Sequence, residues 1–192
     1  MAYQFKIQLS NVTKPPVWRR IIVDERLTFK ELHKVIQLVF DWDNCHLYQF
    51  SPSGYGSNPV IALPSKDDWE QPEMNAMKTK LNMIFTREKQ SFNYIYDFGD
   101  DWSHKIVLEK LVPEPIESPV CLDGKGTCPP EDCGGVWGYE NLKLILADPS
   151  HEEYKEMKEW LGIEDDEEWD ADAFDLIEVN ESLRNAFSKP LK

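Results

Sequence analysis

The sequence predicts an α+β protein, a mixed sheet entered through a β-hairpin, a helix and a further strand, with helices gathered in the C-terminal half. Three observations predict it. Residues 4–12, QFKIQLSNV, alternate apolar and polar side chains with period two. Thr28 and Glu31 have the spacing of a capping box, ahead of a helical stripe made by Leu32, Val35, Ile36 and Val39. FNYIYDF and WSHKIVLEKLV flank Gly99, Asp100 and Asp101, which supply turn chemistry between two apolar runs.

Taken in order, the strand at 4–12 is broken by Lys14-Pro15-Pro16 and resumes as VWRRIIV, which makes the first hairpin. The capped helix runs to about Phe40, and HLYQFSP at 46–52 is expected to be the third strand. Residues from about 52 to 75 are rich in Gly, Pro, Ser and Asn and are expected to form an irregular excursion. Residues 74–87 read as a short helix packing Met77, Leu81 and Ile84. After the second hairpin, a proline-rich link at 113–119 leads to CLDGKGTCPPEDCGG, residues 121–135. YENLKLILAD and SHEEYKEMKEWLG read as two helices parted at Asp148-Pro149. An acidic segment from about 163 to 192 ends in an amphipathic piece from Phe174 to Phe187. Strand, strand, helix, strand is the order of a β-grasp-like sheet packed on one helix, here extended by C-terminal helices, and the whole chain, 1–192, reads as one domain.

Composition narrows the function classes. The chain carries a net charge of −14, divided unevenly: residues 1–100 hold 12 Lys and Arg against 12 Asp and Glu, whereas residues 101–192 hold 9 against 23. A surface of that sign repels phosphate, so direct nucleic-acid binding is disfavoured, although the neutral first half has room for a local basic patch such as Arg19 with Arg20. No apolar run approaches the roughly 20 residues of a membrane span, and the N-terminus alternates like a strand instead of opening on a charged start and an apolar stretch. Both point to the cytoplasm, where four cysteines are expected as thiols or metal ligands in preference to disulfides.

Two segments carry candidate chemistry. In YDFGDDWSH, a two-residue turn at Asp100-Asp101 sets Asp97 across from His104, so that a carboxylate orients an imidazole, whereas a three-residue turn sets Tyr96 there and turns Asp97 to the other face. His104, Asp97 and Asp100 are the catalytic candidates, set against the plainer reading of Asp as a turn former and His104 as a half-buried strand residue. In the cysteine loop, Cys121, Cys128 and Cys133 would need one more ligand to close a tetrahedral zinc site, and His46, His104 or Cys45 are the candidates for it. The plainer alternative is a tight loop with unreactive buried thiols. Glu131 and Asp132, held by Pro129, Pro130, Gly134 and Gly135, add carboxylates that with the hairpin acids suit a hard divalent cation.

The strings KPPVWRR, LTFKELHKVIQLVFDWDNCHLYQF, YDFGDDWSH and CLDGKGTCPPEDCGGVWGYENL occur in one order over nearly the whole chain. In this the sequence resembles the plasmid pRiA4b ORF-3-like family, also described as passenger proteins of mobile insertion elements. The resemblance implies no reaction. It does place emphasis on Trp18, Arg19, His33, Trp42, His46, Phe50, Tyr96, Asp97, Gly99, Asp100, Trp102, His104, Cys121, Pro129, Pro130, Glu131, Asp132, Cys133, Gly134 and Gly135, many of them polar beyond what a core requires. Two functions follow as expectations. One is a non-catalytic binding or accessory module of plasmids or mobile elements with a protein partner. The other is a metal-dependent hydrolase or nuclease that uses the Asp/His hairpin and the cysteine loop, with zinc or another divalent metal.

Overall fold

The computed structural model describes residues 1–65 and 71–188. Its frame is one eight-stranded sheet in the order β5-β4-β3-β6-β7-β1-β2-β8. The strands are β1 (Ala2–Thr13), β2 (Pro16–Asp24), β3 (Tyr48–Ser51), β4 (Ile61–Ala62), β5 (Met74–Asn75), β6 (Ser91–Tyr96), β7 (Trp102–Val112) and β8 (Val120–Lys125), and the helices are α1 (Phe29–Val39), α2 (Gly135–Leu146), α3 (Tyr154–Trp160) and α4 (Leu176–Phe187). All pairings are antiparallel except β4 with β5, which makes the sheet mixed, and the α+β class is as the sequence predicts. The order β1, β2, α1, β3 is present, but β3 joins β4 and β6 and not the first hairpin.

Period-two alternation gives the sheet one apolar face. Phe5, Ile7 and Leu9 of β1, Ile21 and Val23 of β2, and Ile106 and Leu108 of β7 are all buried, as are Leu32, Val35, Ile36 and Val39 of α1. At roughly 25 cal/mol per Å² of apolar surface removed from water, this shared layer is the main favourable contribution to the fold. The helix starts where the sequence places it: the Thr28 hydroxyl accepts from the Glu31 N–H at 3.2 Å, and Glu31 Oε2 accepts from the Thr28 N–H at 2.7 Å. Aromatic rings fill the layer between α1 and the sheet, among them Phe29, Phe50, Phe85 and Phe92.

Three expectations are corrected. Residues 74–87 hold β5, a turn and a 3-10 helix at Leu81–Met83 in place of the anticipated helix, and of its three proposed packing residues Leu81 is buried while Met77 is exposed. The stretch expected to be irregular contains β4 and β5, which extend the sheet edge; its residues 66–70 lie outside the described residues, as do 189–192 of the acidic tail. Arg19 is no part of a basic surface. It points inward, 3% exposed, and donates to the carbonyls of Val39, Trp18, Lys125 and Gly126, tying β2, β8 and the end of α1 together.

Candidate functional site

The pairing of β3 with β6 decides which residues meet. Tyr48 lies opposite Tyr96, so the chain just before β3 runs beside the chain just after β6, and the Asp97 N–H donates to the Leu47 carbonyl at 2.9 Å. His46 is thereby set against Asp97, with Nδ1 3.7 Å from Asp97 Oδ1. The cysteine loop closes the third side. His46 Nε2 lies 3.4 Å from Asp132 Oδ1 and 3.8 Å from Glu131 Oε2.

The second hairpin itself differs from both turns the sequence allowed. Tyr96 pairs with Trp102 and Tyr94 with His104, which leaves residues 97–101 as a five-residue loop. Asp97 and Asp101 take left-handed φ values of 55° and 59°, the Asp101 N–H donates to the Asp97 carbonyl at 2.7 Å, and the Gly99 N–H donates to Asp97 Oδ1 at 2.8 Å. Asp tolerates that backbone region better than most residues, and its side chain closes the turn locally. The predicted Asp97–His104 pair therefore does not form. His104 is fully buried against the edges of Phe40 and Trp42, with Nδ1 3.0 Å from the Trp102 carbonyl, and burial pulls its pKa down to about 3, so it is a neutral core residue.

Asp100 joins the two segments from its own position. Its Oδ2 accepts the Gly134 N–H at 3.1 Å, and Gly135, with φ 65°, passes so close that a Cβ there would lie 2.5 Å from the Asp100 carbonyl. Only glycine meets both demands at 135, and Gly134 beside it takes a left-handed φ of 87°. Gly138 is required for a related reason: a Cβ would meet the Cys133 carbonyl at 1.7 Å. The loop is further anchored by the Trp42 indole, whose Nε1 donates to the Pro129 carbonyl at 2.9 Å.

Within this frame Glu131 has two unlike oxygens. Oε1 accepts from the Tyr96 hydroxyl at 2.8 Å and from the Asp43 N–H at 3.0 Å. Oε2 is buried with no hydrogen-bond partner, and so is His46 Nε2, which it faces. Burial first, and the Glu131 charge second, push the Tyr96 phenol up, so Tyr96 acts as a donor to Glu131 while accepting the Cys45 N–H at 3.0 Å. A neutral network beneath holds the chain that carries His46. Asn44, with φ 58°, accepts at Oδ1 from His33 Nε2 at 2.5 Å and donates its N–H to Gln37 Oε1 at 2.9 Å. A side-chain amide oxygen only accepts, so Nε2 carries the His33 proton and Nδ1 accepts from the Tyr94 hydroxyl at 2.8 Å. Burial lowers the His33 pKa to about 4, which keeps this arrangement uncharged.

Among the described residues, the group of three side chains spaced to share a metal ion is His46, Asp97 and Asp132, whose ligand atoms lie within 4.8 Å of one another. The cysteines form no such group. Cys121 turns into the core beside the Asp123 carbonyl, Cys128 receives a hydrogen bond from Arg19 at 3.0 Å, and Cys133 packs at the start of α2. Burial raises their thiols to about 11, 11 and 12, which disfavours thiolate. Of the ligand set anticipated from sequence, His46 stands at the cluster and the three cysteines do not join it.

Comparison with known proteins agrees with this order of parts. A family model described as plasmid pRiA4b ORF-3-like protein matches residues 1–178. The chain belongs to that family. In the pRiA4b ORF-3-like family it is similar to the uncharacterized protein y4hQ of Sinorhizobium fredii (strain NBRC 101917 / NGR234), 35% identical over 188 residues, which span 97% of this chain and 92% of that one. It is also similar to the crystal structure of a protein of unknown function, MM3350, from Methanosarcina mazei Go1, with 39% identity and a TM-score of 0.78 over 92% of this chain and 96% of the other. Among the described residues no helix is long and apolar enough to cross a membrane.

Proposed function

We propose that this pRiA4b ORF-3-like protein works through a divalent cation held by His46, Asp97 and Asp132, and that the site is arranged for metal-assisted hydrolysis. One observation carries the reading. Two buried atoms, His46 Nε2 and Glu131 Oε2, face each other without hydrogen-bond partners inside a ring of three carboxylates. Unpartnered buried polar atoms cost roughly 1–3 kcal/mol each, and crowded carboxylates repel; a cation at His46 would partner its Nε2 and offset the repulsion, leaving Glu131 Oε2 to accept from a water. One imidazole with two carboxylates suits Zn²⁺ or Mn²⁺ and leaves coordination positions for water and substrate.

The remaining residues then have roles. The cation supplies Lewis acidity. Glu131, with Oε1 held by Tyr96 and Asp43, keeps Oε2 free to take a proton from an attacking water. Asp100 and Gly134 clamp the cysteine loop to the hairpin so that Asp132 and Asp97 share one point. The acidic surroundings favour an uncharged or cationic substrate and disfavour a nuclease. The test is turnover of activated ester and amide substrates with Zn²⁺ or Mn²⁺. The expected result is activity abolished by EDTA, and a Glu131→Gln protein that keeps the cation but loses about 100-fold or more in rate. Turnover unaffected by Glu131→Gln, or a cation-loaded protein inert toward every substrate of the panel, would overturn the hydrolytic reading. The second reading, an accessory module with a protein partner, rests on a different surface.

A further inference from the structure

We propose that the groove between α2 and α3 is a docking site for a basic peptide segment of another protein, which seats one apolar side chain in it. The groove is a space of about 280 Å³ walled by Leu142 and Ile145 of α2 and by Met157 and Trp160 of α3, and it ends at Asp132. That is room for a single aliphatic or aromatic anchor. Its lip is apolar and exposed. Trp137 is 88% exposed and Leu144, two turns further along α2, 71%; Asn141, which lines the groove, lies between them, and Trp160 is 48% exposed on the opposite side. Three large apolar side chains around one apolar slot are more than the scattered surface hydrophobics of an ordinary soluble protein.

Charge identifies the occupant. Residues 147–175 hold thirteen Asp and Glu against Lys155 and Lys158. Lys158 does not face outward; it is 3% exposed and donates to the carbonyls of Asp165 and Glu167. The slot is thus set in a strongly negative field, which attracts a segment with Lys or Arg flanking an apolar anchor. The same field repels anionic lipid and nucleic acid. It also opposes a second copy of the chain, which carries the same charge of −14. Asp132 belongs both to the groove and to the His46 cluster, so a docked segment lies beside the cation. That last placement rests on the cation reading; the groove and its lip do not.

The probe is a fluorescein-labelled amphipathic peptide of Lys and Leu, titrated into the full chain and followed by anisotropy in EDTA and again with Zn²⁺. The expected result is saturable binding in both conditions that weakens with salt, is retained by His46→Ala, and falls about tenfold or more in Leu144→Glu and in Trp160→Ala. Leu144→Glu adds negative charge, so attraction by charge alone predicts tighter binding there, and unchanged or tighter binding would overturn the proposal. Equal binding of a Glu and Leu peptide would overturn it as well. So would a wild-type dimer in sedimentation that Leu144→Glu makes monomeric, or flotation with phosphatidylserine vesicles that Leu144→Glu abolishes, since these give the face to a second copy or to lipid. Loss of peptide binding in EDTA with recovery in Zn²⁺ would overturn the independence of the groove from the cation, whereas failure of cation binding alone leaves the peptide result standing.

Discussion

His46 and His104 stand on opposite sides of the same aromatic floor. Trp42 stacks on Tyr96 at 5.0 Å; His104 meets the edge of Trp42 at 5.2 Å from within, and His46 meets Tyr96 at 5.8 Å from without. The inner histidine is fully buried and neutral, and its one Nδ1 contact is the Trp102 carbonyl. The outer one keeps 28% of its side chain exposed and is ringed by Asp97, Glu131 and Asp132. The same side chain serves packing on one side of the Trp42–Tyr96 pair and a polar cluster on the other. Environment, and not membership of the string YDFGDDWSH, separates the two roles.

The contrast is broken or sharpened most strongly by removing each histidine. His104→Ala should cost about 3 kcal/mol of stability in urea unfolding, as large-to-small changes in a packed core do. His46→Ala should cost under about 1 kcal/mol and abolish cation binding instead, since a partly exposed side chain carries little packing. Equal stability losses would remove the distinction. Next comes Gly135→Ala, which forces a Cβ against the Asp100 carbonyl at a left-handed φ. It should destabilise by about 2 kcal/mol and weaken the cation site along with it, because the clamp between hairpin and loop opens. A protein with full cation affinity after that change would show that the clamp does not position the cluster.

The two buried histidines also give a pH signature. Their folded pKa values, about 4 for His33 and about 3 for His104, lie below the ordinary 6.5. Above pH 6.5 neither state binds these protons and stability is unaffected. As pH falls below 6.5 the unfolded chain takes them up first, so stability drops by about 1.4 kcal/mol per pH unit for each group until the folded pKa is reached. Unfolding midpoints from pH 7 to 4 check this, and His104→Leu should flatten the slope by about one proton. The smallest effect belongs to Tyr96→Phe, which removes the 2.8 Å bond to Glu131. It should cost about 1 kcal/mol in stability and about tenfold in cation affinity by calorimetry.

Much of the fold was legible because it is written in local periodicity. The capping box at Thr28 and Glu31, the two hairpins and the C-terminal helices each follow from spacings within a dozen residues. β4 and β5 were hidden because two-residue strands offer no period to read. The site was legible only in parts. His46, Asp97, Glu131 and Asp132 all stood among the candidates, and Asp97 was grouped with Glu131 and Asp132 for a divalent cation, but Asp97 was paired with His104 and His46 with the cysteines. Asp97 meets His46 through the long-range pairing of Tyr48 with Tyr96, which no local pattern encodes, and the aspartates at 97 and 101 adopt left-handed φ values that lengthen the loop past either turn considered. Arg19 looked like surface charge because burying a guanidinium takes, besides the neighbouring Trp18 carbonyl, three carbonyls from two distant segments, the end of α1 and the end of β8, and only the tertiary fold supplies them.

The most direct test of the account is cation stoichiometry by isothermal titration calorimetry on protein purified without a metal-affinity step, comparing His46→Ala and Asp97→Asn with Cys121→Ser, Cys128→Ser and Cys133→Ser. The expected stoichiometry is one Zn²⁺ or Mn²⁺ per chain in the wild type and in all three cysteine variants, and none in the His46 and Asp97 variants. Binding that survives loss of His46 or Asp97 and disappears with the cysteines would contradict it.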